Sequence, residues 1–129
     1  MNVLDESIVA QQCKQLRKWR IPFRQIGADL STYGTTDENL IPLLHRLPQP
    51  TFFSHDGDFF KASLCHAHYA LIYLDFADTE EAQFIRRFLR HPAFNTQAKR
   101  LGIVACVGSA GVRFWRKGQT GLQRVEWGQ

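Results

Sequence analysis

The segment Thr51-Phe52-Phe53-Ser54-His55-Asp56-Gly57-Asp58-Phe59-Phe60 is an apolar run that breaks off at two aspartates one residue apart. Carboxylates this close repel and raise each other's pKa, so setting both at the mouth of a strand costs free energy. A divalent cation is the usual compensation, and hard carboxylate oxygens suit Mg²⁺ or Mn²⁺. Asp56 and Asp58 are therefore candidate metal ligands, with a solvated Asp-Gly turn as the plain alternative. Two more acidic pairs stand upstream, Asp5-Glu6 and Asp37-Glu38. Whether the three pairs can meet depends on the elements that carry them.

Val3-Leu4 predicts a short strand stopped by Asp5-Glu6. Ser7 suits an N-cap, and Val9, Cys13, Leu16 and Trp19 or Arg20 then fall on one helical face, with Lys14, Arg17 and Lys18 opposite. Pro22 to Ile26 reads as a second strand closed by Gly27, and Asp29 to Thr36 as a loop. Leu40, Leu43, Leu44 and Leu47 form a helical stripe. Pro42 is tolerated only in the first turn of a helix, which sets the start near Asn39 with Asp37 and Glu38 at the edge. Pro50 to Phe53 is the third strand, and Phe59 to Cys65 a helix. Tyr69 to Leu74 is an apolar run suited to a strand buried on both faces. Asp78 and Glu81 have the spacing of a capping box for a helix that buries Ala82, Ile85, Phe88 and Leu89 and ends before Pro92. A short helix or turn over Ala93 to Lys99 follows, then a strand over Ile103 to Val107. Gly111 turns the chain into Val112 to Arg116, and the last residues read as a frayed tail. Strands alternating with helices predict one α/β domain over residues 1–129. Its architecture is a three-layer α/β/α sandwich around a mainly parallel sheet with right-handed crossovers, to which the final hairpin adds an antiparallel edge.

Composition narrows the class. A chain of 129 residues can bury a core of its own, and it holds no apolar run of about 18 residues that would span a membrane. The first residues lack the basic and apolar segments of a signal peptide. Cys13, Cys65 and Cys106 are odd in number and widely spaced, which suits a reducing cytosol better than a disulfide framework. A cytoplasmic location is expected. The charge is split: Arg86, Arg87, Arg90, Lys99, Arg100, Arg113, Arg116, Lys117 and Arg124 lie in a stretch whose only acid is Glu126. Before Arg86, acids outnumber bases. The basic half can face a polyanion such as RNA, or an acidic protein partner.

In an open parallel sheet, ligands bind beyond the carboxyl ends of the strands. Asp5 and Glu6 follow the first expected strand, Asp56 and Asp58 the third, and Asp37 and Glu38 open a helix facing the same edge. Three segments thus deliver acids to one rim. In this order the chain resembles a PIN-like nuclease domain of the small stand-alone kind related to bacterial toxin nucleases. The matching segments are Leu4-Asp5-Glu6, Gly34-Thr35-Thr36-Asp37-Glu38-Asn39-Leu40-Ile41 and Phe53-Ser54-His55-Asp56-Gly57-Asp58-Phe59, with Arg113-Phe114-Trp115 as a suitable last strand. The resemblance covers nearly the whole chain. It implies a metal-dependent ribonuclease in which Asp5, Asp37, Asp56 and Asp58 hold one or two Mg²⁺ or Mn²⁺ ions, joined through water or replaced by Glu6 or Glu38. Ser54 would orient a carboxylate or phosphate from behind. Arg86, Arg87, Arg90, Arg113 and Arg116 would contact RNA, and an antitoxin protein is an implied partner. The family pattern often has Asn two residues after the first acid, where this chain has Ser7. A homodimer is a further expectation from size class.

Other constellations are weaker. Cys65-His66-Ala67-His68 lacks a second ligand pair at zinc-finger spacing. Gly108-Ser109-Ala110-Gly111 precedes a strand and lacks the Lys-Ser/Thr end of a phosphate loop, so a hairpin turn is expected. Trp115 or Trp127 could stack on a base. Two rival functions are a phospho-acceptor receiver, which would want a lysine after a late strand, and a PIN-like domain that binds RNA or protein without cutting.

Overall fold

Seven strands form one sheet in the order β2-β1-β3-β4-β5-β6-β7 in this computed structural model, which describes residues 1–28, 37–76 and 78–127. β1 (Asn2–Leu4), β2 (Arg24–Gln25), β3 (Thr51–Ser54), β4 (Ala70–Leu74) and β5 (Ile103–Val107) run parallel. β6 (Gly111–Arg116) and β7 (Gln123–Glu126) add an antiparallel edge. The continuous apolar character of the central strands follows from burial on both faces, and every residue of β3 and β5 is buried. Leu4, Phe53, Ile72 and Ala105 point to one face, and Val3, Phe52, Leu71 and Val104 to the other. α1 (Ala10–Lys18) and α3 (Glu81–Arg90) cover the first face with Cys13, Leu16, Ala82, Ile85 and Phe88. α2 (Asp37–Arg46) covers the second with Leu40 and Leu44, completing the three α/β/α layers. Each fully buried Leu, Ile or Phe in these layers is worth about 1.5–3 kcal/mol of transfer free energy.

One crossover departs from the expected hand. The step from β1 to β2 and the step from β4 to β5 run in opposite directions along the sheet, yet α1 and α3 lie on the same face. The two connections therefore have opposite hands, although parallel crossovers are almost uniformly right-handed. Polar contacts fix this route. Glu81 accepts the Val9 backbone N–H at 3.2 Å, and the Gln12 side chain accepts the Ala82 N–H at 2.9 Å, so the start of α3 is fastened to the start of α1.

Several element boundaries differ from expectation for local reasons. Ser7 does not cap α1; its hydroxyl goes to Asp5 at 3.1 Å, and Val9 takes the cap position without a side-chain bond. α2 starts at Asp37 rather than Asn39, which puts Pro42 in its second turn. Pro42 is exposed, so water can reach the Glu38 carbonyl that it leaves unbonded. Instead of a helix over Phe59 to Cys65 there are two 3₁₀ turns, Gly57–Phe59 and Ala62–Leu64, separated by an extended Lys61. The Asp78/Glu81 capping box does not form on the Glu81 side, because that carboxylate is bonded to Val9 and His55, and Glu80 is the cap residue of α3. The short helix after Pro92 is α4 (Gln97–Arg100), capped by Thr96. The expected frayed tail is β7, and Trp127 just beyond it donates its indole N–H to the Gly108 carbonyl at 2.8 Å. Gly111 opens that hairpin at φ 152°, where an added Cβ would lie 2.2 Å from the Val125 carbonyl oxygen, so only glycine fits. The loop expected over 29–36 lies outside the described residues.

Candidate functional site

The five parallel strands follow the 2-1-3-4-5 order of doubly wound sheets, whose switch point falls between β1 and β3. Asp5 is the first residue after β1, and its N–H donates to the Phe53 carbonyl at 2.9 Å, which seats it directly beside the end of β3. There Ser54, only 1% exposed, donates its hydroxyl to Asp5 Oδ2 at 2.9 Å. The same hydroxyl accepts the Asp56 N–H at 2.9 Å, and Asp56 Oδ1 accepts the Asp58 N–H at 2.9 Å. A chain of hydrogen bonds thus runs Asp5–Ser54–Asp56–Asp58. Asp5 Oδ1 also accepts the Glu6 N–H at 2.8 Å. The Gln25 amide donates to the Asp5 and Ile8 carbonyls at 3.2 and 3.0 Å, bracing the turn from the β2 side.

Asp5, Ser54 and Asp56 are therefore brought together, with Asp58 joined through the backbone of the turn. Asp56 is half-buried and Asp58 exposed. The chain reaches α2 from β2, so the helix begins at the carboxyl edge; Glu38 there is exposed, and the Asp37 side chain lies outside the described residues. Glu6 is half-buried beside Asp5. Among the described residues, no group of three or more His, Cys, Asp or Glu side chains is gathered closely enough to hold a metal ion. The donors at the switch point are hard oxygens, the type a Mg²⁺ or Mn²⁺ ion takes, and a carboxylate has about four lone-pair sites, more than the protein bonds at Asp5 or Asp56 consume.

Two features of this edge had no clear signal in the sequence. Glu81, fully buried, contacts His55 Nε2 with its second carboxylate oxygen, and His55 Nδ1 lies 3.0 Å from the Leu74 carbonyl. A carbonyl only accepts, so the contact to Leu74 assigns the donor role to Nδ1. This pair ties β3, β4, α1 and α3 together one residue from Asp56. Tyr73 rests against Gly57 and donates to Asp75 at 3.5 Å. Burial first, then the negative charge of Asp75, pushes its phenol pKa up, and Asp56 adds to the effect.

The arginines separate into three places. Arg86, Arg87 and Arg90 line a groove on the α1/α3 side with Trp19, His91 and Trp127. Arg113 stacks 5.5 Å from the Phe60 ring centroid, donates to the Cys106 sulfur at 3.4 Å, and shares a pocket with Arg124, Asp75 and Glu126. Arg116 reaches the Leu101 carbonyl at 3.5 Å beside Lys117. The thiol of Cys106 is pushed up in pKa by burial, an effect opposed by Arg113. His68 Nε2 is 2.7 Å from the Leu47 carbonyl, and His45 packs edge-on against His66. Gly108 N–H donates to the Gly111 carbonyl at 2.9 Å, closing a hairpin turn. Comparison with family models, with curated proteins and with solved structures returns no match for this chain. No helix among the described residues is long and apolar enough to cross a membrane.

Proposed function

We propose that the chain is a metal-dependent endoribonuclease of PIN-like type, acting at the switch point between β1 and β3. The observation that carries this reading is the Ser54 hydroxyl, which donates to the Asp5 carboxylate and accepts from the Asp56 backbone. A buried serine used in this way fixes the Asp5 carboxylate and the backbone at Asp56, joining segments 49 residues apart. Asp5, Asp37, Asp56 and Asp58 would hold the cation. Bound there, a divalent ion supplies a water of lowered pKa and charge stabilisation for the leaving oxygen of a phosphodiester. Ser54 fixes the rotamer of Asp5, the Asp56–Asp58 turn presents the second carboxylate, and the His55–Glu81 pair anchors the strand end behind both. The phospho-acceptor alternative would want a lysine after β5, where Gly108, Ser109 and Ala110 stand.

The test is cleavage of single-stranded RNA with and without Mn²⁺. Asp56→Asn combined with Asp58→Asn should reduce cleavage to background while leaving the melting temperature equal or higher, since like charges are removed. Wild-type protein that cuts no RNA in any divalent ion, or a double variant that cuts as well as wild type, overturns the reading. RNA binding without cleavage would point to the non-catalytic alternative.

A further inference from the structure

The outer face of α3 carries Arg86, Arg87 and Arg90 in a groove of about 640 Å³ whose described lining contains no carboxylate. Arg86 and Arg87 lie over aromatic faces and form no salt bridge with an acid among the described residues. The Arg86 guanidinium carbon is 4.5 Å from the Trp19 ring centroid, and that of Arg87 is 4.8 Å from Trp127 and 5.3 Å from Phe84. Stacking of this kind fixes the plane of a guanidinium and leaves its edge donors pointing outward. Arg86 Nε is buried with no hydrogen-bond partner, a donor without an acceptor beside the groove. The other basic places compare poorly. Arg113 and Arg124 share their pocket with Asp75 and Glu126, so charge there balances. Arg116 is engaged with the Leu101 carbonyl.

We propose that this groove is the path of a single-stranded RNA, with Arg86, Arg87 and Arg90 on successive phosphates and the half-buried Trp19 and Trp127 in its walls. The choice of RNA rests on the nuclease reading of the acidic rim; the polyanion site itself rests on the groove. The two are close. Glu81 touches His55, the neighbour of Asp56, and Arg86 follows Glu81 by five residues, about 7.5 Å of helix rise. Planar forks match phosphate oxygens two at a time, which suits a strand held by its backbone without regard to sequence. An acidic peptide could also match the forks; RNA is chosen because the rim beside the groove is read as a phosphodiester site.

Binding of a fluorescein-labelled single-stranded RNA, read by anisotropy in EDTA, separates these statements because no cleavage intervenes. Each phosphate neutralised on a single strand contributes about 0.7 to the slope of log K against log salt. The triple variant R86Q/R87Q/R90Q should therefore lose about 2 from that slope, so that raising salt from about 50 to about 200 mM weakens wild type about 18-fold more than the variant. R86K/R87K/R90K should recover the slope, and R113Q/R124Q should keep it. A triple glutamine variant with the wild-type slope, or a lysine variant that fails to recover it, overturns the groove. So does poly-glutamate that displaces the RNA as well as poly-uridine of equal charge. If D56N/D58N stops cleavage while the glutamine triple binds as wild type does, the groove fails and the rim reading stands. If wild type never cleaves but the glutamine triple loses the slope, the rim reading fails and the groove stands.

Discussion

Ser54→Ala is the sharpest perturbation of the edge, because one buried oxygen serves two partners. Ser54 donates to Asp5 Oδ2 and accepts from the Asp56 N–H, both at 2.9 Å. A hydrogen bond to a charged group contributes about 1.5–3 kcal/mol net, and a neutral one about 0.5–1.5 kcal/mol. Asp5 is half-buried and keeps the Glu6 N–H and Ser7 hydroxyl, so the low ends apply and the loss is about 2 kcal/mol. An unfolding entropy of about 2.1 cal/mol/K per residue makes this a fall of about 7 °C in melting temperature for a chain of 129 residues. Scanning calorimetry of wild type, Ser54→Ala, Asp5→Ala and the double variant gives the coupling directly, and about 1 kcal/mol is expected between the two sites. On the nuclease reading, Ser54→Ala should also lower Mn²⁺-dependent cleavage about 10–100-fold, the usual effect of losing a group that orients a ligand. A melting temperature within about 2 °C of wild type, or effects that add within about 0.5 kcal/mol, would refute the bridging role.

Glu81→Ala should cost about 3 kcal/mol, the low end for breaking a buried charge pair, because the His55 side chain retains 24% exposure. Glu81→Gln should cost less, since its amide oxygen can still accept the Val9 N–H; equilibrium urea unfolding compares them, and equal losses would remove Val9 from the account. At alkaline pH the sign follows from Tyr73, whose phenol is raised above its ordinary value of 10.0 first by burial and then by Asp75. The folded chain keeps a proton that the unfolded chain gives up, so this contribution is full below about pH 10 and is lost as pH climbs through the folded value. Asp75→Asn should move the Tyr73 phenolate transition to lower pH in ultraviolet titration, with Tyr73→Phe identifying the band; an unmoved transition would mean that burial alone sets it.

Local patterns made much of this fold legible. β4 and β5 are uninterrupted apolar runs, and such runs are what two-sided burial requires. The stripe Ala82, Ile85, Phe88 named α3 for the same reason. Two helix caps failed because a side chain bonded elsewhere than to the helix beside it. Ser7 and Glu81 carry good capping chemistry for the helices beside them, yet each is drawn to the switch point, one by Asp5 and the other by His55 and Val9. No window of sequence shows that His55 and Glu81, 26 residues apart, will meet. Nor does it show which face α3 will take, since that depends on Gln12 and Val9 at the start of another helix. At the edge itself, the position of Asp5 beside Asp56 was readable from strand ends alone, whereas Tyr73 and Asp75 were not, because their meeting depends on how the 3₁₀ turn at Gly57 seats the ring.

The charges of the two faces are kept apart. Two unit charges about 4 Å apart near a protein surface interact by about 4 kcal/mol, enough for arginines on the rim to pair with its carboxylates and occupy them. Instead, Arg86 and Arg87 rest on indole rings, and no Arg or Lys forms a salt bridge among the described residues. Where the signs do come close, around Arg113, Arg124, Asp75 and Glu126, they balance within one pocket. Aromatic seating thus leaves the Arg86 and Arg87 guanidiniums without an ion pair among the described residues, while Asp5 and Asp56 keep lone pairs beyond their protein hydrogen bonds. On the proposed reading this splits the ionic dependences of one protein: divalent ions act on cleavage through the carboxylates of β1 and β3, and monovalent salt acts on binding through α3. A rim occupied by its own arginines would have fused the two.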